Sequence, residues 1–330
     1  MATIRQVAER AGVSVATVSY VLNDVRKVRP ETEQRVLTAA RELGYHPNAA
    51  ARSLVVGRSS LLGLVVPDIE NPFFPEITKS FQEVASAAGM ETIVINTNYD
   101  MQRTRNAVDR LVSLQVPGAA FLTSQIDSSI KEALAKRNIS AVYMDHAVGG
   151  VPAGNIVIDY EGGIAQAFEH LLKLGHRRIG MIGGPAHGAT AQRRKQAFLA
   201  AAEAAGVDQR VIDSDFTVQG GYFSCSRLLG GFDATAVIAA NDLMAIGALH
   251  CAYDRLMPVP TALSVVGFDD ITFAQFTQPA LTTVAVPRAE IGQRAFKLLW
   301  SMISHENGEE SRLDVKTTLK IRQTTAAPPA

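Results

Sequence analysis

Apolar and polar positions over the first 23 residues predict two short helices joined by a tight turn. From Ile4 to Ala11, apolar residues recur at i, i+3, i+4 and i+7, which marks one face of a helix. Gly12 can adopt the backbone angles of a sharp turn because it has no Cβ, and the hydroxyl of Ser14 can cap the next helix. The inward face of the second helix consists of Val18, Val21 and Leu22. Its outward face carries Val15, Ala16, Ser19, Tyr20 and Asn23.

A third helix is predicted between Pro30 and Gly44. Proline fits the first turn of a helix, the acidic residues Glu31 and Glu33 favour its positive end, and glycine commonly follows the last turn. The residues expected to face inward are Val36, Ala40 and Leu43. Three short helices would form a small head domain whose second helix can lie in a DNA major groove. The alternative is an ordinary helical hairpin.

From Leu61 the pattern changes to apolar runs that alternate with helical stretches. The first runs read GLVVP, TIVIN, GAAFL and AVYMD; after a helix that begins near Tyr160, the next runs read RIGMIGG, TAVIAA and SVVGF. Continuous apolar strands between amphipathic helices predict parallel sheets covered on both faces. Two such sets predict an α/β fold with two doubly wound subdomains. Ligands of such folds bind in the crevice at the carboxyl ends of the strands.

Polar and aromatic residues follow four of these predicted strands. The segments are Asp68-Ile69-Glu70-Asn71-Pro72-Phe73-Phe74, Asp145-His146, Asn241-Asp242 and Asp269-Asp270. Each alone has a structural interpretation, because Asn and Asp cap helices or start turns and phenylalanine usually belongs to a core. We prefer that interpretation for Asp242 and Asp270. As a set at successive strand ends, however, these side chains predict a ligand pocket.

Composition narrows the function classes. The chain has 330 residues, of which 47% are hydrophobic, so more than one domain is expected. Residues 1–60 contain nine Arg and Lys against five Asp and Glu, a net charge of +4, whereas the whole chain is neutral. A basic head on an acidic body fits a polyanionic partner for the head.

The two cysteines do not have the spacing of a disulfide framework or a zinc site, so we expect reduced thiols and no metal. Without an apolar signal core or a run long enough to span a bilayer, we expect a cytoplasmic protein with no membrane partner.

The N-terminal 57 residues resemble the DNA-binding head and hinge of the LacI/GalR family of bacterial transcription regulators. The runs AGVSVATVSYVLN and YHPNAAARSL match the pattern of that family. The resemblance implies that Leu54 is the leucine that wedges into the minor groove at the centre of the operator, where such a wedge kinks the duplex. The DNA-binding residues that it implies are Thr3, Ser14, Val15, Ala16, Thr17, Ser19, Tyr20, Asn23, Arg29, Asn48, Ala51, Arg52 and Leu54.

The body resembles the periplasmic sugar-binding-protein fold, which this family uses to sense effectors. The effector-binding residues implied by the resemblance are Asn71, Phe73, Phe74, Asp145, His146, Thr190, Arg194, Phe216, Asn241 and Asp269. Phenylalanine rings can lie on the apolar faces of a sugar, while Asp, Asn and Arg can bond its hydroxyls. Arg193 and Lys195 flank Arg194 and are expected to be solvated.

Three positions depart from the pattern. His146 stands where this type of pocket often has a second arginine, and Val286 is near a position often filled by glutamine, so the identity of the sugar is left open. Many relatives have arginine where this chain has Tyr20, so the operator should differ at the base that Tyr20 faces. A purine or a phosphorylated sugar is the alternative effector.

The resemblance implies a modular, dimeric repressor of sugar-utilisation genes. We expect a helix-turn-helix domain at 1–47, a hinge helix and linker at 48–60, and an effector-binding and dimerisation domain at 61–330. Within that domain, one subdomain would span about 61–159 and 287–314, and the other about 160–286 and 315–326. The partners would be a near-palindromic duplex DNA operator, a small-molecule effector, most simply a monosaccharide, and a second copy of the chain, because the tail TTAAPPA lacks heptads. No cofactor is expected.

Two other classes of protein are less well supported. A transport binding protein would share the body but not the head. A doubly wound enzyme would need more than GGPAHG near Gly183, which lacks the spacing of a phosphate-binding loop. The chain is therefore not expected to be an enzyme.

Overall fold

The computed structural model describes residues 2–23, 28–45, 59–123, 126–146, 153–305 and 312–329. Two compact units are present, one containing the head and the other containing nearly all of the remaining chain. In the described part of the chain, no helix is long and apolar enough to cross a membrane.

The head contains the three predicted helices, α1 (Ile4–Ala11), α2 (Val15–Asn23) and α3 (Pro30–Glu42). Gly12 ends α1 with a positive φ of 64°, a conformation that costs glycine little. The Ser14 hydroxyl accepts a hydrogen bond from the backbone N–H of Thr17 at 3.1 Å, as expected of an N-cap. Thr3 and Gln6 form a capping box at the start of α1. The helices enclose a small core of Val7, Ala8, Ala11, Val18, Val36, Ala39 and Ala40.

The prediction that Leu43 faces this core is wrong. Helix α3 ends at Glu42, and Leu43 is 36% exposed. The chain then reverses through Gly44, which has a φ of 58°, and the N–H of Tyr45 bonds to the carbonyl of Ala40. This turn lets Tyr45, rather than Leu43, pack against the core.

The larger unit contains two six-stranded sheets with helices packed against them, so the prediction of an α/β fold with two doubly wound sheets is confirmed. The strands of the first sheet lie in the order β11-β5-β4-β3-β1-β2. They are β1 (Leu61–Val66), β2 (Glu91–Asn96), β3 (Gly118–Phe121), β4 (Ser140–Met144), β5 (Gly154–Ile158) and β11 (Arg312–Val315). The helices of this part are α4 (Phe73–Ala87), α5 (Met101–Ser113) and α6 (Ser128–Lys136). We call this part the first lobe.

The second sheet has the order β12-β10-β9-β8-β6-β7. Its strands are β6 (Arg178–Gly183), β7 (Asp208–Asp213), β8 (Ala236–Ala239), β9 (Ser264–Asp269), β10 (Thr282–Ala285) and β12 (Thr318–Lys320). Only β12 pairs antiparallel, with β10, among the ladders that the structure describes. The helices are α7 (Tyr160–Lys173), α8 (Ala189–Ala205), α9 (Val218–Leu229) and α10 (Asp242–Asp254), and a 3-10 helix covers Thr272–Gln275. We call this part the second lobe.

The chain passes between the lobes three times, between β5 and α7, between β10 and α11 (Arg288–Ser304), and between β11 and β12. Helix α11 packs against α4 and strands β3 to β5, and therefore belongs to the first lobe although it follows the second in sequence. The main hydrophobic core runs through both lobes. Strands such as β9 are buried at every position, as expected for a parallel sheet covered on both faces.

Candidate ligand-binding cavity

A cavity lies where the carboxyl ends of several strands from both lobes meet. The first lobe contributes Pro67, Asn71, Phe73, Phe74, Tyr99, Leu122, Thr123, Met144 and Asp145. The second lobe contributes Tyr160, Thr190, Arg194, Phe216, Asn241 and Asp269. Aromatic faces and a few polar groups therefore converge on one space.

The structure brings nearly all of the residues proposed from the sequence into this lining. Asn71, Phe73, Phe74, Asp145, Thr190, Arg194, Phe216, Asn241 and Asp269 all line it. His146 does not, because the chain turns at Asp145, which has a φ of 55°, and the ring of His146 lies 6.1 Å from that of Tyr143. His146, which was predicted to bind the effector, therefore does not line the cavity.

Arg194 and Asp269 form the polar centre of the cavity. Both side chains are 6% exposed, and the arginine Nη2 lies 3.7 Å from the aspartate Oδ1. The guanidinium carbon of Arg194 lies 4.1 Å from the ring centre of Tyr160 and 4.7 Å from that of Phe268, so aromatic rings stabilise the buried cation. The Nε of Arg194 and the Oδ1 of Asp269 are buried without a hydrogen-bond partner. A donor and an acceptor are thus available together.

Burial shifts the ionisation of Asp269. Desolvation raises the pKa of its carboxyl to about 7, although the positive charges of Arg194 and Arg288 act in the opposite direction. The backbone of Asp269 has a φ of 113°, a left-handed conformation that is unfavourable for a residue with a side chain. Because such conformations persist only where the surroundings enforce them, the position of this carboxyl is set by its neighbours.

Asp242 supplies much of that constraint. Its carboxylate is completely buried and accepts hydrogen bonds from the backbone N–H of Ile271 at 2.8 Å and from the hydroxyl of Thr283. Burial raises its pKa well above the usual range. Asp270 instead pairs with Arg322 at 2.6 Å. Neither aspartate lines the cavity, and both make contacts within the fold. Their roles differ from the helix caps that the sequence suggested, since Asn241 caps α10 and Asp242 instead holds the loop that carries Asp269.

Asp145 is already engaged by protein groups. Its Oδ1 accepts from the N–H of Ile158 at 2.9 Å, and its Oδ2 accepts from the hydroxyl of Tyr160 at 2.6 Å. Its Oδ1 also lies 3.4 Å from Nη1 of Arg193. Burial raises the pKa of Asp145, while the hydrogen bond from Tyr160 lowers it. Its carboxylate therefore has less capacity left for a ligand than that of Asp269.

The two asparagines shape the wall of the cavity. Asn241 caps α10 by accepting from the N–H of Met244, and its amide donates to the carbonyl of Phe216 at 3.0 Å. Phe216 has a positive φ of 67°, so this hydrogen bond supports a strained turn that carries an aromatic ring. Asn71 likewise accepts from the N–H of Phe73, at the start of α4. Both amides position the phenylalanines that line the cavity.

Sequence reasoning missed Pro67, Tyr99, Leu122, Thr123, Met144 and Tyr160. Tyr160 is the most informative of these, because its ring lies beneath Arg194 and its hydroxyl bonds to Asp145. The sequence pattern identifies Tyr160 only as the start of a helix, and it is the first residue of α7. One signal in the sequence could have identified Tyr160, since it directly follows the passage of the chain from the first lobe to the second.

Arg193, predicted to be solvated, is only 31% exposed and forms several bonds.

In the head, most of the proposed DNA-binding residues are on the short helix α2, whereas Thr3, Ser14 and Arg29 lie outside it. Val15, Ala16 and Tyr20 are exposed on α2, whereas Thr17 and Ser19 are half-buried. Arg29 is exposed at the start of α3. The proposed hinge residues Asn48, Ala51, Arg52 and Leu54, and the side chain of Asn23, lie outside the part of the chain that the structure describes.

Comparison with protein families gives two matches. Residues 3–48 match the family model described as bacterial regulatory proteins, lacI family, and residues 168–325 match the periplasmic binding protein-like domain. The chain is also similar over its whole length to transcriptional repressors named PurR. The PurR of Mannheimia succiniciproducens is 34% identical over 98% of both chains, and so is that of Haemophilus influenzae strain PittGG.

Solved structures show the same architecture. The lac repressor dimer bound to operator and the anti-inducer ONPF superposes with a TM-score of 0.88 at 26% identity, covering 99% of both chains. A complex of the transcriptional regulator CelR with cellobiose gives 0.73 at 30% identity, over 98% of this chain and 100% of that one. A LacI family regulator from Enterococcus faecium with bound ribose gives 0.75 at 26% identity, over 81% of this chain and 99% of that one.

The chain belongs to the lacI family of bacterial regulatory proteins. It is a DNA-binding transcriptional repressor whose partners are operator DNA and a small-molecule effector, and it is not an enzyme. The resemblance identified from the head and hinge motifs is thereby confirmed.

Proposed function

We propose that this repressor senses a small, uncharged carbohydrate that binds in the cavity between the lobes. The observation that carries the proposal is that two buried polar atoms of the cavity lack a hydrogen-bond partner, the Nε donor of Arg194 and the Oδ1 acceptor of Asp269. A sugar hydroxyl can accept from the first and donate to the second at once, because it is both acceptor and donor. The phenylalanines of the lining offer faces for the C–H surfaces of a sugar ring.

The charges around the cavity favour a neutral ligand. Asp269 is paired with Arg194, and Asp145 with Arg193. A phosphorylated sugar would bring further negative charge into a buried site whose described cations already face carboxylates, and uncompensated buried charge is costly. Two similar regulators have structures with neutral sugars, cellobiose and ribose. These observations support a free sugar over a phosphorylated one.

A purine is the second candidate. The repressors named PurR are 34% identical to this chain along its length. A planar base could stack on an aromatic ring of the lining while its polar edge bonds to Arg194 and Asp269. The sugar proposal and the purine proposal use the same pair of side chains but predict different ligands.

Melting of the full-length protein against free pentoses and hexoses, sugar phosphates and purines decides between them. A ligand at a hundred times its Kd should stabilise the protein by about 2.7 kcal/mol, which is readily seen. We expect a neutral sugar to raise the Tm, and Arg194→Met to abolish the rise. Lys195→Met is the matched control, because that side chain pairs with Asp213 within the second lobe. A response confined to purines or to phosphorylated sugars would overturn the proposal.

The head and hinge are assigned a role in reading a near-palindromic operator. The proposal places α2 in the major groove and Leu54 in the minor groove, with the head at 1–47, the hinge at 48–60 and the body at 61–330. The exposure of Val15, Ala16 and Tyr20 on α2 supports it. Because operator DNA in a bacterium is in the cytoplasm, that is where we place the protein.

A homodimer completes the proposed function. A similar repressor is a dimer on its operator. The second lobe exposes large apolar side chains at Phe223, Tyr253, Leu256, Phe273 and Phe276, and exposed apolar groups of this kind favour association. Light scattering should give twice the chain mass of 35.4 kDa. A mass of one chain at micromolar concentration would contradict the dimer.

A further inference from the structure

Arg193 differs in position from its neighbour Arg194, although both are on α8. Arg194 lines the cavity, whereas Arg193 lies behind the wall that Asp145 and Tyr160 form. Its side chain is 31% exposed, so it is neither a free surface cation nor a buried ligand group. The contacts of Arg193 therefore need an explanation other than direct ligand binding.

The guanidinium of Arg193 makes four polar contacts. Its Nε and Nη2 donate to the two carboxylate oxygens of Glu161 at 2.8 and 2.6 Å, a bidentate geometry that fixes the plane of the group. Nη2 also donates to the backbone carbonyl of Ile158 at 3.1 Å, and Nη1 donates to Asp145 at 3.4 Å. The guanidinium carbon lies 5.0 Å from the ring centre of Tyr160.

These contacts connect the two lobes. Arg193 and Glu161 are on α8 and α7 of the second lobe, whereas Ile158 ends β5 and Asp145 follows β4 in the first lobe. The side chain of Asp145 is only 1% exposed, so its negative charge depends on a nearby cation and on hydrogen bonds. Glu161 orients Arg193, and Arg193 then holds the carboxyl ends of two strands of the first lobe.

A second arginine makes a comparable connection. Arg288, at the start of α11 in the first lobe, pairs with Glu76 at 2.7 Å and donates to the backbone carbonyl of Asp269 in the second lobe. Each arginine thus has a carboxylate partner in its own lobe and bonds to a cavity residue of the other. Arg288 is 8% exposed and is anchored at a passage between the lobes. Arg193 is more exposed and lies on a helix that is not part of such a passage.

We propose that Arg193 is a positioning residue for effector binding, which latches the lobes together and orients Asp145 without touching the effector. This inference rests on the proposed binding of an effector between the lobes. Loss of the latch shifts the lobes toward more open arrangements. Only the fraction of molecules in the competent arrangement binds tightly, so the apparent affinity falls in proportion.

The first test measures lobe separation and needs no effector. Spin labels at Glu132→Cys on α6 and Glu203→Cys on α8 report the distance between lobes in the full-length protein. Both positions are exposed, and the native thiols Cys225 and Cys251 are buried. Arg193→Leu should lengthen and broaden the distance distribution, and Arg193→Lys should restore it in part. Lys195→Met should leave it unchanged. An unchanged distribution in Arg193→Leu would overturn the latch, whether or not the effector is a sugar.

The second test uses the compound that raises the Tm in the panel of sugars, sugar phosphates and purines. Arg193→Leu should weaken its Kd about tenfold while the order of preference among related compounds stays the same. Glu161→Gln should weaken binding less, and the double variant should be no worse than Arg193→Leu, because both changes remove one coupled unit. Strictly additive effects, or a changed order of preference, would show that Arg193 is not a latch oriented by Glu161.

Discussion

Nη2 of Arg194 lies 3.7 Å from Oδ1 of Asp269 in the cavity between the lobes, yet each side chain keeps a buried polar atom without a hydrogen-bond partner. Such atoms are uncommon in folded proteins, because an unsatisfied buried donor or acceptor costs about 1–3 kcal/mol. A ligand hydroxyl placed between them would satisfy both. The pair therefore lowers the stability of the effector-free protein and at the same time offers hydrogen bonds to an effector. The first prediction follows from the loss of stability.

Asp269→Asn should stabilise the effector-free protein near neutral and basic pH. The folded-state pKa of Asp269 is about 7, above the ordinary value of 3.8, and this shift already includes the attraction of Arg194. Between these two pH values the folded state retains a proton that the unfolded state has lost, so its stability falls as pH rises. Each pKa unit is worth about 1.4 kcal/mol, and asparagine removes this cost.

The measurement is the Tm of both proteins at two pH values. The variant should melt several degrees above the parent near pH 8 and close to it near pH 4, and it should no longer respond to the effector. A variant that is less stable than the parent at both pH values would show that Asp269 is a stabilising ion-pair partner instead.

Effector affinity should depend on pH through the same carboxyl. The ionised carboxylate of Asp269 can accept a hydrogen bond at Oδ1. Because its pKa is about 7, the Asp269 carboxyl is protonated in most molecules near pH 6. For a ligand that requires the ionised form, the apparent Kd should be about tenfold weaker near pH 6 than near pH 8. Calorimetric titration of the protein with the effector at several pH values measures this change in Kd. A flat profile over this range would mean that the ligand binds without using the charge of Asp269.

Asp242→Ala should reduce both stability and effector binding. The substitution leaves the N–H of Ile271 and the hydroxyl of Thr283 buried without their acceptor, at a cost of about 1–3 kcal/mol each. It also releases the loop that holds Asp269 in its left-handed conformation. Chemical denaturation and effector titration measure the two losses. Asp270→Asn is the control, since its partner Arg322 is more exposed; an equal loss of binding there would argue against a special role for Asp242.

Leu54→Ala should weaken specific operator binding while the body still responds to the effector. The prediction follows from the proposed wedge, because kinking a base step costs a few kcal/mol that the wedge and its neighbouring contacts must offset. Gel-shift titration against operator and against unrelated DNA measures the effect. Operator affinity equal to that of the parent would rule out the wedge.

The fold followed from features that are local in sequence. Apolar runs such as those of β1 and β9 identify buried parallel strands because both faces are covered, and Gly12 and Ser14 mark the turn of the head through their own backbone chemistry. Strand β7 had no such pattern. Its sequence DQRVID lies largely exposed at the edge of a sheet. An exposed strand does not need a continuous apolar run, so its sequence carries no such signal.

The cavity was predictable wherever a residue type and a strand end coincided. Asp145, Asn241 and Asp269 all fit that rule. Tyr160 and Arg193 could not be predicted by that rule, because their roles depend on contacts with residues of the other lobe, Asp145 and Ile158. The prediction for Leu43 was wrong for a local reason: the helical periodicity was extended one residue beyond Glu42, where α3 ends and the chain begins to turn toward Gly44.

The most direct test of the account is operator binding with and without the effector. A duplex selected from a random-sequence pool by the full-length protein is labelled, and its affinity is followed by fluorescence anisotropy. At saturating concentration, the neutral sugar that raises the Tm should change operator Kd at least about tenfold, a typical allosteric coupling. Arg194→Met should bind the same duplex without responding to the sugar. An operator affinity that is identical with and without saturating sugar in the parent protein would contradict the claim that a carbohydrate in this cavity controls DNA binding.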